Sequence, residues 1–503
     1  AGTLVVTESP INLMDGHASL NGTNLENLVG EDPQLTSNGN VLIRGTAGNT
    51  DQGPGNATIN VDTLDIQSGT LTLNGLLTNP DGTIDIRTGA TLISGSSNRI
   101  NGDSSTLNME NGGTWTLGGD DTIGTFNSSG LLNGGGILTA TTYNLSNGAI
   151  TATGANLGTG ILNSGPGTVT LNGDAAAETA SINSGTLNLN GQLTGVTDLN
   201  IANGGALVSG SADRVNDSAV ANITTGGTWT LDGDDAIATL NSGGLLNGNG
   251  TLTALTYNLT DGAVTEALAD LGSGTLNSDG NVTLNGESAA EIANINSGTL
   301  NLNGQLPAVT DLNIASGGTL LSGSPDRVND SAITNITTGG TWTLNGGEAI
   351  TTFNSGGLLN GNGTLTAETY NLTDGAVTET QANLGSGTLN SDGNVTLNGD
   401  AAAEIANVNS GFLSLNGQLT GVTDLNIANG ATLANGSAER INDAAVVENS
   451  GALTLNGEEN ITAYNSDGGL LDGAGLLTAG VYNLSNGAET VAGANLGTGT
   501  LNS

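Results

Sequence analysis

The stretch GTWTLGGD, residues 113–120, is written again as GTWTLDGD at 227–234, as GTWTLNGG at 340–347 and, in a weaker form, as GALTLNGE at 451–458. The starts of these stretches are 114, 113 and 111 residues apart. The three tryptophans of the chain, Trp115, Trp229 and Trp342, occupy the same place in three successive copies. The chain therefore repeats a unit of about 113 residues, which is typical of proteins whose repeats stack on their neighbours.

Short apolar runs bounded by glycine recur inside each unit at intervals of about 19 residues. In the second copy they include GTLNLNG from Gly185, GGALVSG from Gly204 and GGTWTLDG from Gly226. Apolar residues alternate with Thr, Asn or Ser within each run, which indicates strands with one buried face. Asn-Gly, Asp-Gly and Ser-Gly pairs between the runs supply the positive φ that tight corners need.

We therefore predict an all-β fold, a right-handed parallel β-helix (β-solenoid) with about 19 residues per coil and a super-repeat of about 113 residues. The alternative is a row of β-sandwich domains of the same length. Short, glycine-broken strands and joints without proline-rich linkers argue against this alternative.

The repeat predicts five segments of one continuous solenoid. Residues 1–68 match the unit poorly and are predicted to form an N-terminal cap or assembly region, which contains the only histidine, His17. The repeat units are predicted at 69–184, 185–297, 298–410 and, incompletely, 411–503.

Charge and composition exclude several classes of function. The net charge is −41, the six basic residues are all arginines, and there is no cysteine. Such a surface repels nucleic acid and anionic lipid, and the chain has no thiolate chemistry. No apolar run approaches the ~18 residues of a membrane-spanning helix, so we expect no membrane insertion. The acidic surface leads us to expect no nucleic acid partner.

The segments GTLNLNG, GTWTLDG and LLNGNGTLTA resemble the β-helical passenger regions of bacterial autotransporters and filamentous-haemagglutinin-type adhesins. The resemblance extends over roughly residues 69–503. It implies a β-helical rod and an extracellular location at the bacterial cell surface, and it is more specific for fold than for function.

Four aspartates, Asp85, Asp198, Asp311 and Asp424, are spaced by 113 residues. They could form a row of calcium ligands, or they could cap turns on a solvated face. The calcium-binding nonapeptide of other solenoids is absent. We therefore assign no metal-ligating residue and no cofactor, with loosely bound calcium as the one ion the acidic stretches could hold.

Four of the six arginines, Arg99, Arg214, Arg327 and Arg440, occupy one position of the unit. The sequence favours a structural role, in which each guanidinium pairs with a neighbouring carboxylate such as Asp213, Asp326 or Glu439, or with corner carbonyls. A row of anion-binding sites is the alternative.

Aromatic residues also recur with the unit. They are Tyr143, Tyr257, Tyr370 and Tyr482 at one position, and Phe126, Phe353 and Tyr464 at another. One aromatic residue per unit favours a place in the core over a sugar-stacking row. Asparagines in the LNGQL segments, Asn190, Asn303 and Asn416, are expected to form amide hydrogen bonds between coils.

Catalysis has little support. Carboxylate pairs such as Asp120 and Asp121 recur in several units, whereas an active site is one constellation in one cleft. We assign no catalytic residue and predict that the chain is not an enzyme, a polysaccharide-degrading β-helix enzyme being the less favoured alternative.

The function predicted from the sequence is that of a secreted structural or adhesive rod of a bacterial surface or extracellular matrix fibre. LGTGTLNS at 496–503 ends where a further coil follows in earlier units, which leads us to expect head-to-tail filaments of the chain with itself. The alternative is a glycan- or ice-binding adhesin module.

Overall fold

The computed structural model describes residues 11–13, 34–37, 41–43, 58–60, 63–73, 76–78 and 82–503. The described residues form strands, turns and bends and contain no helix. They build a parallel β-solenoid of about 23 turns, with about 19 residues between stacked strands, which confirms the predicted fold class. The chain divides into two compact units, residues 1–254 and residues 255–503.

The strands that begin in the first unit before residue 251 are β1 Ile11–Leu13, β2 Gln34–Ser37, β3 Val41–Ile43, β4 Thr58–Asn60, β5 Thr63–Ile66, β6 Gly69–Leu73, β7 Leu76–Thr78, β8 Thr83–Ile86, β9 Ala90–Ser94, β10 Ile100–Met109, β11 Thr114–Leu117, β12 Asp121–Ser128, β13 Leu131–Gly134, β14 Ile137–Leu145, β15 Ile150–Thr151, β16 Asn156–Leu157, β17 Ile161–Ser164, β18 Thr168–Leu171, β19 Thr179–Ile182, β20 Gly185–Leu189, β21 Asp198–Ile201, β22 Gly205–Ser209, β23 Val220–Ile223, β24 Thr228–Leu231, β25 Asp235–Ser242 and β26 Leu245–Gly248.

The strands that follow are β27 Thr251–Leu259, β28 Val264–Thr265, β29 Asp270–Leu271, β30 Thr275–Asp279, β31 Val282–Leu284, β32 Ile292–Leu302, β33 Asp311–Ile314, β34 Gly318–Ser322, β35 Ile333–Ile336, β36 Thr341–Leu344, β37 Glu348–Ser355, β38 Leu358–Gly361, β39 Thr364–Leu372, β40 Val377–Thr378, β41 Asn383–Leu384, β42 Thr388–Leu397, β43 Ile405–Leu415, β44 Asp424–Ile427, β45 Thr432–Asn435, β46 Val446–Asn449, β47 Ala452–Leu455, β48 Glu459–Asp467, β49 Leu470–Gly473, β50 Leu476–Ser485, β51 Glu489–Thr490, β52 Asn495–Leu496 and β53 Thr500–Asn502.

Strands in successive coils pair in parallel and in register, so that like residues stack. In the second unit, Leu300 lies opposite Leu320, which lies opposite Trp342, which lies opposite Leu359. The alternation read from the sequence is the reason, because every second side chain of a strand points to the same face. A shift by one residue would turn this apolar set outward, so the pattern fixes the register.

The interior is narrow and largely aliphatic, as the composition predicts. Stacked Leu, Ile, Val and Ala side chains are 0–6 % exposed along most of the described strands. The largest fully buried side chains are those of the tryptophans and of most of the recurring tyrosines and phenylalanines. Burial of each Leu or Ile contributes roughly 1.5–3 kcal/mol, and repetition sums this contribution over the coils.

Glycine is required where coils approach most closely at a corner. Gly361 has a φ of +98°, and a Cβ built on it would lie 2.0 Å from the carbonyl oxygen of Leu344 in the preceding coil. Gly134 in the first unit repeats this geometry against Leu117, with a φ of +104°. No other residue type combines this φ with this approach, so the LLNG and LLDG segments turn the same corner in each copy.

A column of asparagines runs along the outer side of one sheet. In the second unit each side chain donates from Nδ2 to Oδ1 of the preceding asparagine at 2.8–3.0 Å. The members of this column are Asn258, Asn277, Asn294, Asn313, Asn335, Asn354, Asn371, Asn390, Asn407 and Asn426. We call this set the asparagine column; it has a single direction, because every donor points toward the N-terminal coil.

The predicted N-terminal region 1–68 is described only in part, and His17 lies outside the described residues. Its described strands pair in parallel like the others, with Ile11 opposite Leu35 and Leu35 opposite Leu64. The assignment of this region as a cap and the boundaries of the five segments stay predictions.

Candidate functional sites along the repeat

The recurring arginines lie at the same corner of the coil in each copy. The prediction that each guanidinium pairs with a neighbouring carboxylate is wrong. Within the described residues, ion pairs involve only Arg87. The guanidinium of Arg327 instead donates from Nε to the hydroxyl of Ser324, three residues earlier, at 2.7 Å. Arg99 and Arg214 donate from Nη2 to the hydroxyls of Ser96 and Ser211, which also lie three residues earlier. Because the residue before each arginine has a φ near +55°, the chain curls back there and brings the serine within reach.

A buried carboxyl group faces the backbone of each arginine corner. Asp121 is 0 % exposed, and its Oδ1 accepts hydrogen bonds from the backbone nitrogens of Arg99, at 2.7 Å, and Ile100, at 3.0 Å. Asp235, Glu348 and Glu459 occupy the same place in the later copies and are 0–3 % exposed. These four groups, called the buried carboxyls below, fasten each arginine corner to the next coil.

Burial raises the pKa of each buried carboxyl, because an ionised carboxylate loses its hydration inside the solenoid. For Glu348 desolvation raises the pKa to about 7, against the opposing hydrogen bonds from the backbone of Val328 and Arg327. The pKa values of Asp121, Asp235 and Glu459 are raised by the same cause. The buried carboxyls are thus the described acids whose charge is most disfavoured by the fold.

A tryptophan and a serine complete the corner in the first three copies. The indole Nε1 of Trp115 donates to the hydroxyl of Ser94 at 3.0 Å, and Trp342 donates to Ser322 at 2.9 Å. The serine hydroxyls also face the buried carboxyls and lower their pKa values somewhat. The recurring tryptophan is therefore buried with its one polar atom satisfied, as buried indoles require.

Sequence reasoning missed the buried carboxyls, although a signal was present. Asp121 precedes Ile123 by two residues and so has the parity of the inward-facing set. Asp120, treated with it as a carboxylate pair, points outward and accepts a hydrogen bond from the backbone nitrogen of Ile137 at 2.8 Å. The two neighbours therefore have separate roles and do not form a catalytic pair.

The evenly spaced aspartates do not form one row. Asp85 lies in the column continued by Asn108, which donates to it at 2.9 Å. Asp311 lies two residues earlier in its strand and stacks between Ile292 and Ile333. Asp198 and Asp424 likewise stack next to Val220 and Val446. Since apolar residues flank three of the four, a continuous calcium ladder does not exist at these positions.

The core interpretation of the recurring aromatic residues is confirmed. The tyrosines of the first set and the phenylalanines of the second are 0–2 % exposed. The hydroxyl of Tyr370 donates to the carbonyl of Leu365 and accepts from the backbone nitrogen of Ala367, both at 2.8 Å. Burial raises the pKa of Tyr370 to about 12. These phenols close a corner and are not a sugar-stacking surface.

The asparagines of the LNGQL segments bond between coils as expected. Asn190 donates to Asn172, and Asn416 donates to Asn398, both at 2.9 Å. These are pairs, whereas the long asparagine column occupies a different position of the coil.

Arg87 lies at the centre of a cluster of charges in the first unit. It contacts Asp65 at 2.8 Å, Asp85 at 3.3 Å and Glu110 at 3.0 Å. The hydrogen bond from the Thr88 backbone, followed by that from Arg87, lowers the pKa of Glu110. This cluster is accounted for by local pairing and needs no ligand.

An open groove on the first unit offers polar groups to a ligand. It has a volume of about 630 Å³ and crosses five successive coils, the first supplying Asp103 and the last Glu178. Its wall includes Thr139, Thr141 and Thr159. The third copy keeps both acids as Asp330 and Glu404, while Thr141 is replaced by Glu368. Between the first and third copies, the sequence therefore keeps the acids at the two ends of the groove and changes the residue in its middle.

Over the ranges given above, no group of three or more His, Cys, Asp or Glu side chains is close enough together to hold a metal ion. Across the same part of the chain, no helix has the length and apolar character that crossing a membrane requires. The prediction of loosely bound calcium stays a prediction.

Comparisons of the chain with protein-family models, with curated proteins and with solved structures find no match.

Proposed function

We propose that this protein is a structural or adhesive solenoid of a bacterial surface or extracellular matrix, and that it is not an enzyme. The observation that carries the proposal is the repetition of the arginine corner together with its buried carboxyl. The arginine corner and the buried carboxyl return with the unit, and the sequence also repeats the acids at the ends of the groove. Residues that return with a repeat serve stacking or repeated contact, whereas catalysis needs one constellation.

We further propose that copies of the chain associate head to tail. A parallel stack has two unlike ends, and the single direction of the asparagine column adds to this difference. Contact between unlike ends is heterologous and propagates unless its rotation closes a ring. The net charge of −41 opposes side-by-side aggregation of such bodies.

Electron microscopy of the purified chain, with and without a calcium chelator, tests this assembly. Head-to-tail association predicts thin unbranched filaments with a constant axial repeat. Filaments that disperse in chelator would locate calcium at the contacts. Isolated particles at every concentration would disprove the filament and leave an adhesive module.

The groove favours glycan binding as the second candidate function. Its exposed hydroxyls and carboxylates suit the diols of an uncharged polysaccharide, whereas the acidic surface disfavours an anionic one. Ice binding is less supported near Trp115, because Thr114 stacks between Thr91 and Leu131 and no regular threonine row results.

Binding of the chain to immobilised neutral polysaccharides, dextran and levan, tests this candidate. The double substitution T141W/E368W places an indole in the middle of the groove of the first unit and at the equivalent position of the third copy, and should abolish binding. The control T153W/T380W places the same indoles on exposed turns of the same copies and should bind normally. Equal binding by both variants would exclude the groove.

A further inference from the structure

None of the four buried carboxyls forms an ion pair with an arginine of the described part of the chain. Among the described residues, no arginine nitrogen lies within 4.0 Å of any of the four. In Asp121 and Asp235, Oδ1 accepts two backbone hydrogen bonds, whereas Oδ2 is buried and receives no backbone hydrogen bond, so that only the hydroxyl of Ser94 or Ser209 faces the rest of the carboxyl. An ionised carboxylate oxygen left without a donor inside a protein is strongly disfavoured, whereas a protonated oxygen removes the charge.

The charged surroundings differ between copies but do not supply a counter-ion in the later ones. The neighbouring charge that acts on Asp121 is the positive charge of Arg99, which opposes the shift. For Asp235, Glu348 and Glu459 it is an acid, namely Asp213, Asp326 and Glu439, which adds to it. The other polar groups that face the four carboxyls are Ser94, Ser209, Ser322 and Asn435. The outward acids Asp120, Asp234 and Glu458 precede three of them in the chain.

We propose that the buried carboxyls take up protons when the solenoid folds, so that acidic solution holds the coils together and a rise toward neutral pH loosens them. Each copy would then contain one proton-dependent fastening between its arginine corner and the next coil. This inference goes beyond the proposed function and does not depend on it.

The direction of the pH effect follows from the pKa values. Burial raises the pKa of Glu348 from 4.5 to about 7, so its contribution to stability is complete below 4.5 and is lost as the pH rises toward 7. Within that window the folding equilibrium constant falls by up to about tenfold per pH unit for each such group. The pKa values of the other three are raised as well, so they act in the same direction.

The test is the urea midpoint of unfolding of the full chain between pH 4.5 and pH 9. Wild type should unfold at lower urea as the pH rises. The variant D121N/D235N/E348Q/E459Q keeps the shape of the protonated groups and should lose most of this dependence. The control D120N/D234N/D270N/D400N removes the same charge from outward caps whose Oδ1 accepts a backbone N–H, and should keep it.

The control separates protonation of the buried carboxyls from general repulsion at a net charge of −41. Identical pH slopes in the two quadruple variants, or a wild type that is most stable at alkaline pH, would overturn the proposal. If the buried variant does not fold, E348Q alone replaces it. Infrared spectra of wild type at pH 6 should also show the carbonyl stretch of a protonated carboxyl, and its absence would equally overturn the proposal.

Discussion

The third and fourth copies of the repeat fasten the same corner with different side chains. In the third copy, Trp342 is buried and donates to Ser322 at 2.9 Å. In the fourth copy, Leu453 stands in place of the tryptophan, and Asn435 in place of the serine. Asn435 donates to the buried carboxyl Glu459 at 2.5 Å, and its Oδ1 accepts the backbone nitrogen of Asn456 at 2.6 Å. In the fourth copy, the replacement of tryptophan by the smaller leucine is thus accompanied by the replacement of serine by the larger asparagine.

A second pair of positions changes in the same concerted way. Phe353 and Ile336 of the third copy are both buried and apolar. Their counterparts in the fourth copy, Tyr464 and Asn449, are joined by a hydrogen bond of 2.9 Å from the amide to the phenol oxygen. The buried carboxyl is kept in both copies, while the groups around it vary in compensating pairs. The corner therefore tolerates exchange of volume and polarity but not an unpaired polar group.

The largest effect is expected for the substitution W342L in the third copy. It removes the indole without enlarging Ser322 and leaves a cavity and a serine hydroxyl that has lost its indole donor, at a cost of about 3 kcal/mol. Urea unfolding of W342L, S322N and W342L/S322N measures the coupling. The double variant reproduces the pair of the fourth copy and should be more stable than W342L. A double variant less stable than either single one would show that the two copies are not interchangeable.

The shared glycine corner should be less tolerant than the variable positions around it. G361A forces a φ of +98° on alanine and brings its Cβ to 2.0 Å from the carbonyl of Leu344, which should cost about 2 kcal/mol. The control is G347A. A Cβ at Gly347 meets nothing closer than 3.9 Å, and the fourth copy has Glu458 there. Thermal unfolding of the two variants should differ clearly, and equal melting temperatures would refute the close approach.

The polar pair of the fourth copy should be dispensable only as a pair. N449I leaves the phenol of Tyr464 buried without its amide donor and should cost about 1–2 kcal/mol. N449I/Y464F replaces both groups with the apolar residues of the third copy and should recover part of the loss. Urea midpoints of the three variants decide the matter, and simple additivity would exclude the coupling.

The smallest effect concerns the asparagine column, which Glu448 interrupts in the fourth copy. Glu448 accepts from Asn465 at 2.6 Å but has no N–H to donate to Asn426. E448N restores the donor and removes one of many negative charges, so it should stabilise by about 0.5–1 kcal/mol. E489N, at an exposed site of the same copy, is the charge control for the rise in melting temperature. A rise of the same size in the control would assign the effect to charge alone.

The fold was predictable because its determinants are local and repeated. Alternation places Leu300 and Leu302 inward, and glycines mark the corners, so strands and stacking could be inferred without any long-range contact. The chemistry of the corner was less accessible. A carboxyl at an inward position contradicts the usual burial preference, and its partners are backbone nitrogens of another coil that no side-chain pattern reveals.

Even spacing also misled where copies differ in length. Asp85 and Asp198 are 113 residues apart, yet Asp85 lies opposite Asn108, whereas Asp198 lies opposite Val220, two positions earlier in its strand. The first copy is longer in this stretch. Residues that are spaced by 113 in the sequence therefore do not occupy equivalent positions of their strands. Only the strand registers show which residues share a column.

The asparagine column affects how the stacked coils resist mechanical extension. Its hydrogen bonds run from coil to coil beside the backbone bonds of the strands, so tension along the stack acts on all bonds between two coils at once. Tension on one chain end acts on a single coil and removes coils in sequence. Resistance to extension should therefore depend on where the protein is gripped, high between faces of the stack and low at the ends of the chain.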